Sequence, residues 1–412
     1  MVRLVYTFLL GLLFPIVLFY WFFKSPQWRR SLKFRFGFCS PAKNSLVLHA
    51  ASVGETNAAQ PLIEAILDRT EEALVISNFT VTGYERSAEL FANRVVQTYL
   101  PFDLPWCVNT FLRRSQPKAI LIIETELWPN LLFACRKKNI PVYILSARLS
   151  DNSFSRYVKI KSLFKPAIQA VRKIGAQSEL DQARFKQLGF SAAQMCLTGN
   201  IKYDLKLPTP LPNTIKHLVA SRRVIVAAST RDNEEEMILR MYQQLMKTFE
   251  NLLLIIVPRH PQRFIVVQQL IQKFKFTMVR RSETTDSVPA QVQVMLGDSL
   301  GEMIAYLNAA EVVCMGGTFE NFGGQNPLEP SALGHAIIAG HSVYNFKEVF
   351  KHLQQAKAST TVSNESDLIN AVTMRLNDQA LNRRMGDAAA KMVEENRGAL
   401  KNTLAIISET LL

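Results

Sequence analysis

Hydrophobic and polar positions along the chain fall into an unbroken apolar start followed by two alternating halves. Leu4 to Phe23 is a run of 20 residues without a charge. At 1.5 Å per residue it predicts a helix of about 30 Å, roughly the hydrocarbon thickness of a bilayer. Tyr20 and Trp21 fall where an aromatic belt would sit, and Lys24, Arg29, Arg30, Lys33 and Arg35 follow at once. No small-residue cleavage pattern ends the run, so a membrane anchor over residues 1–23 is expected rather than a cleaved signal peptide. Only Arg3 precedes the run, and the positive-inside rule then places everything after it in the cytoplasm. Gly11 and Pro15 leave open a segment that lies in the interface instead of spanning it.

Beyond the anchor, short β-branched runs alternate with segments of helical period. Strands are expected at 45–51, 73–77, 96–100, 119–123, 142–146 and 173–177, with helices at 57–68 and 129–138 among them. This alternation predicts βα units and a parallel sheet. Lys206 to Asn213 carries three prolines in five residues and marks a stiff linker, 206–213. The pattern then restarts, with strands expected at 224–228, 252–257, 277–279, 292–296, 312–315 and 336–339. The expectation is an α/β protein of two Rossmann-like, doubly wound domains, 24–205 and 214–412, facing a cleft. Ligands in such sheets bind outside the carboxyl ends of the strands.

The chain has 412 residues, enough for two cores, and is 48% hydrophobic and 20% charged with a formal net charge of +14. Residues 1–54 hold seven Lys and Arg and no carboxylate, so half of that charge sits beside the anchor. It suits a segment lying against anionic lipid better than a nucleic-acid-binding face. Five cysteines, odd in number and with no C-x-x-C pair, point to a reducing compartment and away from a zinc site or disulfide framework.

Candidate chemistry gathers where strands end. Glu55, the first acidic residue of the chain, lies in His49-Ala-Ala-Ser52-Val-Gly54-Glu55, a strand running into a glycine turn. A lone carboxylate amid positive charge there is a candidate general base; favouring the positive end of the following helix is the alternative. Thr80, Thr82 and Gly83 follow the next strand and suit either phosphate and sugar hydroxyls at a helix start or ordinary capping. Glu124 and Glu126 follow the strand 119–123; two carboxylates there raise each other's pKa if close and desolvated, whereas extended alternation puts them on one water-facing side. Pro258-Arg259-His260-Pro261-Gln262-Arg263 sets two arginines four residues apart, a spacing suited to phosphate. Gly297 to Glu302 is expected to start a helix. Gly316, Gly317, Gly323 and Gly324 precede Asn326, expected as an N-cap, with Pro327 at the first helical position. That helix would aim N–H groups at an anion, and Glu329 in its first turn suits ribose hydroxyls.

The ordered set HAASVGET, TVTG, ETELWPN, SARLS, GNIKYD, PRHPQRF, GDSLGEM and GGQNPLEP resembles, over the whole chain, the Kdo transferase family. These are membrane-bound GT-B glycosyltransferases of the bacterial inner membrane that move 3-deoxy-D-manno-octulosonic acid (Kdo) from CMP-Kdo to lipid A precursor. The resemblance implies an N-terminal acceptor domain, a C-terminal nucleotide-sugar domain and a last helix that crosses back. It implies Glu55 as proton acceptor, and Pro258, Arg259, Leu300, Gly301, Glu302, Asn326, Pro327, Leu328 and Glu329 as CMP-binding. Ser52, Gly54, Thr80, Thr82, Gly83, Glu124 and Glu126 fall to the acceptor side. No cofactor, metal or nucleic acid is expected; the partners are CMP-Kdo, the lipid A precursor and membrane lipid. Two departures stand out: Ser229-Thr230-Arg231-Asp232-Asn233 where the family commonly has a histidine and an acidic-glycine pair, and Leu300 where methionine is usual. The nearest rivals are a UDP-sugar GT-B enzyme with a lipid-linked acceptor and a nucleotide-sugar epimerase, followed by a non-catalytic lipid-binding protein.

Overall fold

Runs such as Ala-Ile-Leu-Ile-Ile and Leu-Leu-Leu-Ile-Ile-Val are apolar at every position, which suits strands covered on both faces. In the computed structural model, which describes residues 2–165, 167–219 and 222–411, they form two seven-stranded sheets with parallel pairings throughout. The side chain of Lys24, first of the expected basic flank, lies outside the described residues. Contacts divide the chain into two compact units, residues 1–204 with 396–412, and residues 205–395.

The first unit opens with helices α1 (Val2–Lys24) and α2 (Pro26–Arg35). Its strands are β1 (Ser45–His49), β2 (Leu74–Asn78), β3 (Val96–Tyr99), β4 (Pro117–Ile123), β5 (Val142–Ala147), β6 (Val171–Ala176) and β7 (Met195–Leu197). They lie in the order β3-β2-β1-β4-β5-β6-β7, so the winding reverses between β1 and β4. Helix α3 (Val53–Leu67) follows β1, α4 (Val81–Phe91) follows β2, α5 (Pro105–Ser115) follows β3 and α6 (Pro129–Lys137) follows β4. Alternation along β1 sends Leu46 and Leu48 into one core and Val47 into the other. The final helix, Ala399–Leu411, completes this unit: Leu404 and Ile407 join the core of Leu46 and Leu48. Asp204 fixes its start, accepting from the Gly398 and Leu400 N–H groups at 2.7 Å each. At its far end Thr410 Oγ1 meets the Tyr143 hydroxyl at 2.8 Å.

The second unit holds β8 (Arg223–Thr230), β9 (Leu252–Pro258), β10 (Met278–Arg280), β11 (Val294–Leu296), β12 (Val312–Met315), β13 (Ile337–Ala339) and β14 (Ser359–Thr361). Their order is β10-β11-β9-β8-β12-β13-β14, with the reversal between β8 and β12. Two strands lie outside the expected set, β7 and β14. Each is three residues long with partly exposed side chains, too short to show a period.

Candidate active site

Chemistry in the first unit collects at the carboxyl ends of β1 and β4, where its winding reverses. Beyond His49 the chain turns through Ala50–Ser52 into α3, which starts at Val53, four residues before the expected helix. Ser52 is the N-cap and its Oγ accepts from the Glu55 N–H at 3.4 Å. Glu55 reaches back in turn: Oε2 accepts from the Ala51 N–H at 2.6 Å and Oε1 from the Ser52 hydroxyl at 3.3 Å. Sequence left two roles open for Glu55, and the helix-start role is plainly filled. The carboxylate is also electrostatically primed. Burial first, then the charge of Glu124 and more weakly Glu126, push its pKa up to about 7, against the Ala51 N–H and His49. Glu55 forms no ion pair among the described residues.

Glu124 and Glu126 do not take the expected extended arrangement. Glu124 has φ of 59°, a left-handed turn that aims it at Lys202, whose Nζ lies 2.8 Å from Oε1. Glu126 Oε2 accepts from the Trp128 indole N–H at 2.8 Å and lies 3.7 Å from His49 Nε2. Both are only partly open to solvent, with side chains 26% and 29% exposed. His49 is buried. Its Nδ1 lies 2.9 Å from the Ser77 hydroxyl and 3.0 Å from the Ser77 carbonyl, and Nε2, without a hydrogen bond, faces Glu126. Lys202 and His49 belong to motifs visible in the sequence, but nothing local announces their pairing with Glu124 and Glu126.

Thr80 caps α4, accepting from the Gly83 N–H at 3.1 Å and donating to the Ala51 carbonyl at 3.2 Å. A Cβ at Gly83 would meet Thr80 Oγ1 at 2.9 Å and the Ala51 carbonyl at 3.2 Å. Gly83 therefore brings α4 against the loop that carries Glu55. Thr82 and Gly54 stand exposed.

In the second unit the expected donor residues end or follow β9, β11 and β12, of which β9 and β12 flank β8. Pro258 ends β9, and Arg259 follows it exposed, its N–H on the Thr230 carbonyl at 3.0 Å. Glu329 has its pKa raised by burial and opposed by Arg259, which places the two in one field. Arg231 joins them: with burial, it and Arg259 hold the His260 pKa down. Its guanidinium sits 4.4 Å from the Phe322 ring centre. Among the described residues, neither Arg231 nor Arg259 forms an ion pair.

Several expectations change here. Arg263 does not pair with Arg259 for an anion, because it is held by Glu235 at 2.9 Å and by Asp232. Gly297–Glu302 is a loop, and the helix begins at Met303. Asp298 in that loop is tied to Arg280 and Ser282, and Glu302 to Arg281 at 2.9 Å. Leu300 and Gly301 are exposed. The Asn326–Glu329 helix spans only Leu328–Ala332; Pro327 already has helical φ and ψ, and Asn326 Oδ1 accepts from the Leu328 N–H at 3.1 Å. The Leu328 side chain is buried in the second unit. The glycines have backbone reasons: a Cβ at Gly316 would lie 2.5 Å from the Ser229 carbonyl, and Gly323 has φ of 86° against Tyr344. Sequence reasoning passed over Glu234, which is buried and accepts from the N–H groups of Arg231, Gly317 and Phe319. Its place in the acidic run 234–236 at a helix start reads as solvated charge. Among the described residues no three His, Cys, Asp or Glu side chains converge as metal ligands.

Residues 30–205 match the family described as 3-deoxy-D-manno-octulosonic-acid transferase (kdotransferase), and residues 224–392 match glycosyl transferases group 1. A 3-deoxy-D-manno-octulosonic acid transferase of Haemophilus influenzae is 38% identical over 99% of both chains, and one of Bordetella pertussis 32% over 99% of both. Among solved structures, a UDP-GlcNAc 2-epimerase from Neisseria meningitidis aligns with a TM-score of 0.56 at 13% identity, covering 89% of this chain and 99% of that one. A glycosyltransferase from Rickettsia africae aligns with a TM-score of 0.54 at 14% identity, covering 90% and 99%. At such identities these two show the shared two-domain GT-B architecture alone. Identity along the full length shows more, and the chain belongs to the 3-deoxy-D-manno-octulosonic acid (Kdo) transferase family of glycosyltransferases.

Proposed function

We propose that this Kdo transferase moves Kdo from CMP-Kdo to a sugar hydroxyl of lipid A precursor at the cytoplasmic face of the inner membrane, by direct displacement with inversion. The observation that carries the mechanism is Glu55: a half-buried carboxylate, without an ion pair among the described residues, with its pKa raised to about 7 by burial and Glu124. A base working near neutral pH is most effective when its pKa lies there.

As the acceptor oxygen attacks the anomeric carbon of Kdo, its proton passes to Glu55. The bond from that carbon to the phosphate oxygen breaks, and CMP leaves with the bonding electron pair. Arg259, and with it Arg231, are assigned to stabilise the departing phosphate, a role that fixed charges fill without reorganisation. Glu329, close enough to feel Arg259, is assigned to ribose hydroxyls. With cations supplied by the chain, the scheme draws on no metal ion. Thr80, Ser52 and Glu126 border the Glu55 loop and are assigned to the acceptor side. The anchor holds the enzyme where a lipid acceptor resides, which lowers the cost of bringing the two together.

The test is incubation with CMP-Kdo and tetraacylated lipid A precursor, with mass spectrometry of the product. Transfer of Kdo is expected, and CMP-Kdo should outcompete UDP-sugars for binding. Glu55→Gln should lower turnover by about 10²-fold or more with CMP-Kdo binding retained. Near-normal turnover in that variant would remove Glu55 as the base.

A further inference from the structure

Helix α1 is long and apolar enough to cross a bilayer, yet it is not a free stalk. Arg3, Tyr6, Thr7, Leu10, Phe14 and Leu18 are its half-buried residues, spaced three or four apart except for the adjacent Tyr6 and Thr7. That spacing draws one stripe along the helix. The stripe is bonded to the folded unit. Tyr6 donates to Asp103 Oδ2 at 3.0 Å, and Thr7 donates to Asn130 Oδ1 at 3.1 Å. The Arg3 guanidinium lies 3.5 Å from the Phe133 ring centre, and Phe14 meets Phe102 edge-on at 4.8 Å. On the opposite side Leu4, Phe8, Leu12, Ile16, Phe19 and Phe23 are between 62% and 69% exposed.

From Arg3 to Phe14 these contacts run about 16 Å along the helix, more than half of a hydrocarbon thickness of about 30 Å. A transverse α1 would have to drag the ends of α5 and α6 into the bilayer core or give up both hydrogen bonds. Asp103, buried and capping α6 through the Asn130 and Leu131 N–H groups, makes the first course costly. A helix lying in the interface meets neither penalty. Next to it, α2 exposes Arg29, Arg30 and Lys33, and the first 54 residues contain no acidic side chain to offset them. Exposed Trp106, stacked on Phe36 at 5.3 Å, and exposed Phe38 extend the apolar surface.

We propose that α1 lies in the plane of the membrane, clasped to the first unit by Tyr6 and Thr7, with its outer face covered by the acyl chains of one anionic leaflet. This rests on the reading that the enzyme works at a membrane, and deepens it. The consequence reaches the site: Arg35, at the end of α2, donates to the Phe79 carbonyl at 2.6 Å, one residue before Thr80. The segment on the lipid is thereby bonded to the loop beside Glu55.

Depth profiling by spin-label relaxation tests it in the full chain, reconstituted into phosphatidylethanolamine–phosphatidylglycerol vesicles, in a Cys196→Ser background whose other cysteines are buried. Labels go on L4C, F8C, L12C, I16C and F19C, all on the exposed face, with L10C on the stripe. An in-plane helix gives one shared depth for the five and a shallower L10C. A depth that crosses the midplane, with L4C and F19C about 22 Å apart, overturns the proposal while leaving the anchor intact. Failure to bind vesicles at all overturns the proposal and the membrane reading together. Kdo transfer to detergent-dispersed acceptor, measured on the same samples, reports on the catalytic reading separately.

Discussion

The pH at which this enzyme begins to work should be tuned, on top of a larger effect of burial, by the pair Glu124–Lys202. With Glu55 held at about 7, about one-tenth of it is ionised at pH 6 and about nine-tenths at pH 8. As base it must be ionised, so kcat/KM should rise about tenfold across that interval. Burial is the largest cause of the raised value and Glu124 the next. Glu124→Gln removes a repelling charge and frees the Lys202 ammonium, and both favour the ionised Glu55. A neighbouring charge in a half-buried setting is worth on the order of one pKa unit, which would raise ionisation at pH 6 to about one-half. The ratio of rates at pH 6 and pH 8 should then improve about fivefold. The midpoint will not return to the ordinary carboxylate range, because burial persists. Lys202→Met should do the reverse, leaving Glu124 uncompensated and moving the midpoint up. Initial rates of Kdo transfer between pH 5 and 9 provide the assay. The position of the acid limb is the readout, because the height also reports acceptor positioning. Midpoints that stay put in both variants, or that move the same way, would refute the electrostatic argument.

Other substitutions separate chemistry from scaffold. Arg259→Ala and Arg231→Ala should each lower kcat/KM by about 10- to 100-fold and weaken inhibition by CMP, the loss expected for a charge-assisted bond of about 1.5–3 kcal/mol. Arg263→Ala should act instead on stability, since it strands the buried Glu235 carboxylate; thermal melting should show a loss of about 3–5 kcal/mol. Leu404→Ala, in the returning C-terminal helix, should cost about 2–5 kcal/mol in denaturant unfolding, whereas a surface helix would show almost nothing. Transfer should survive EDTA; activity that collapses and is restored by magnesium would count against the scheme drawn here.

The sheets were legible because parallel strands buried on both faces are written as unbroken apolar runs, and β12 coincides with its expected span. Element ends were less so. Nothing periodic marks Val53–Thr56, so the start of α3 depends on a cap whose geometry only the fold displays. The site was legible as motifs and not as partnerships. Arg259 and Arg263 look alike in sequence, yet Glu235, 28 positions from Arg263, neutralises one and leaves the other. Glu124 and Glu126 look like a pair, and a single left-handed residue sends them to Lys202 and Trp128. Arg231, a departure from the family pattern, shares the electrostatic field of Arg259 at His260.

The two readings of Glu55 open at the level of sequence, helix cap and general base, are compatible under the proposed mechanism. A catalytic carboxylate needs a fixed position, and a flexible side chain at a helix start would lose it. Bonds to the Ala51 N–H and the Ser52 hydroxyl supply that fixity. They also favour the ionised form, and alone would hold the group at a low pKa where it makes a weak base. Burial and Glu124 act in the opposite sense and bring it to about 7. The capping bonds position the carboxylate, its surroundings restore its basicity, and neither requirement is met at the expense of the other. The same logic explains why the neighbouring turn is built so tightly: with Gly83 packed against Ala51 and Thr80 bonded to the Ala51 carbonyl, the residue whose N–H holds Glu55 is itself held.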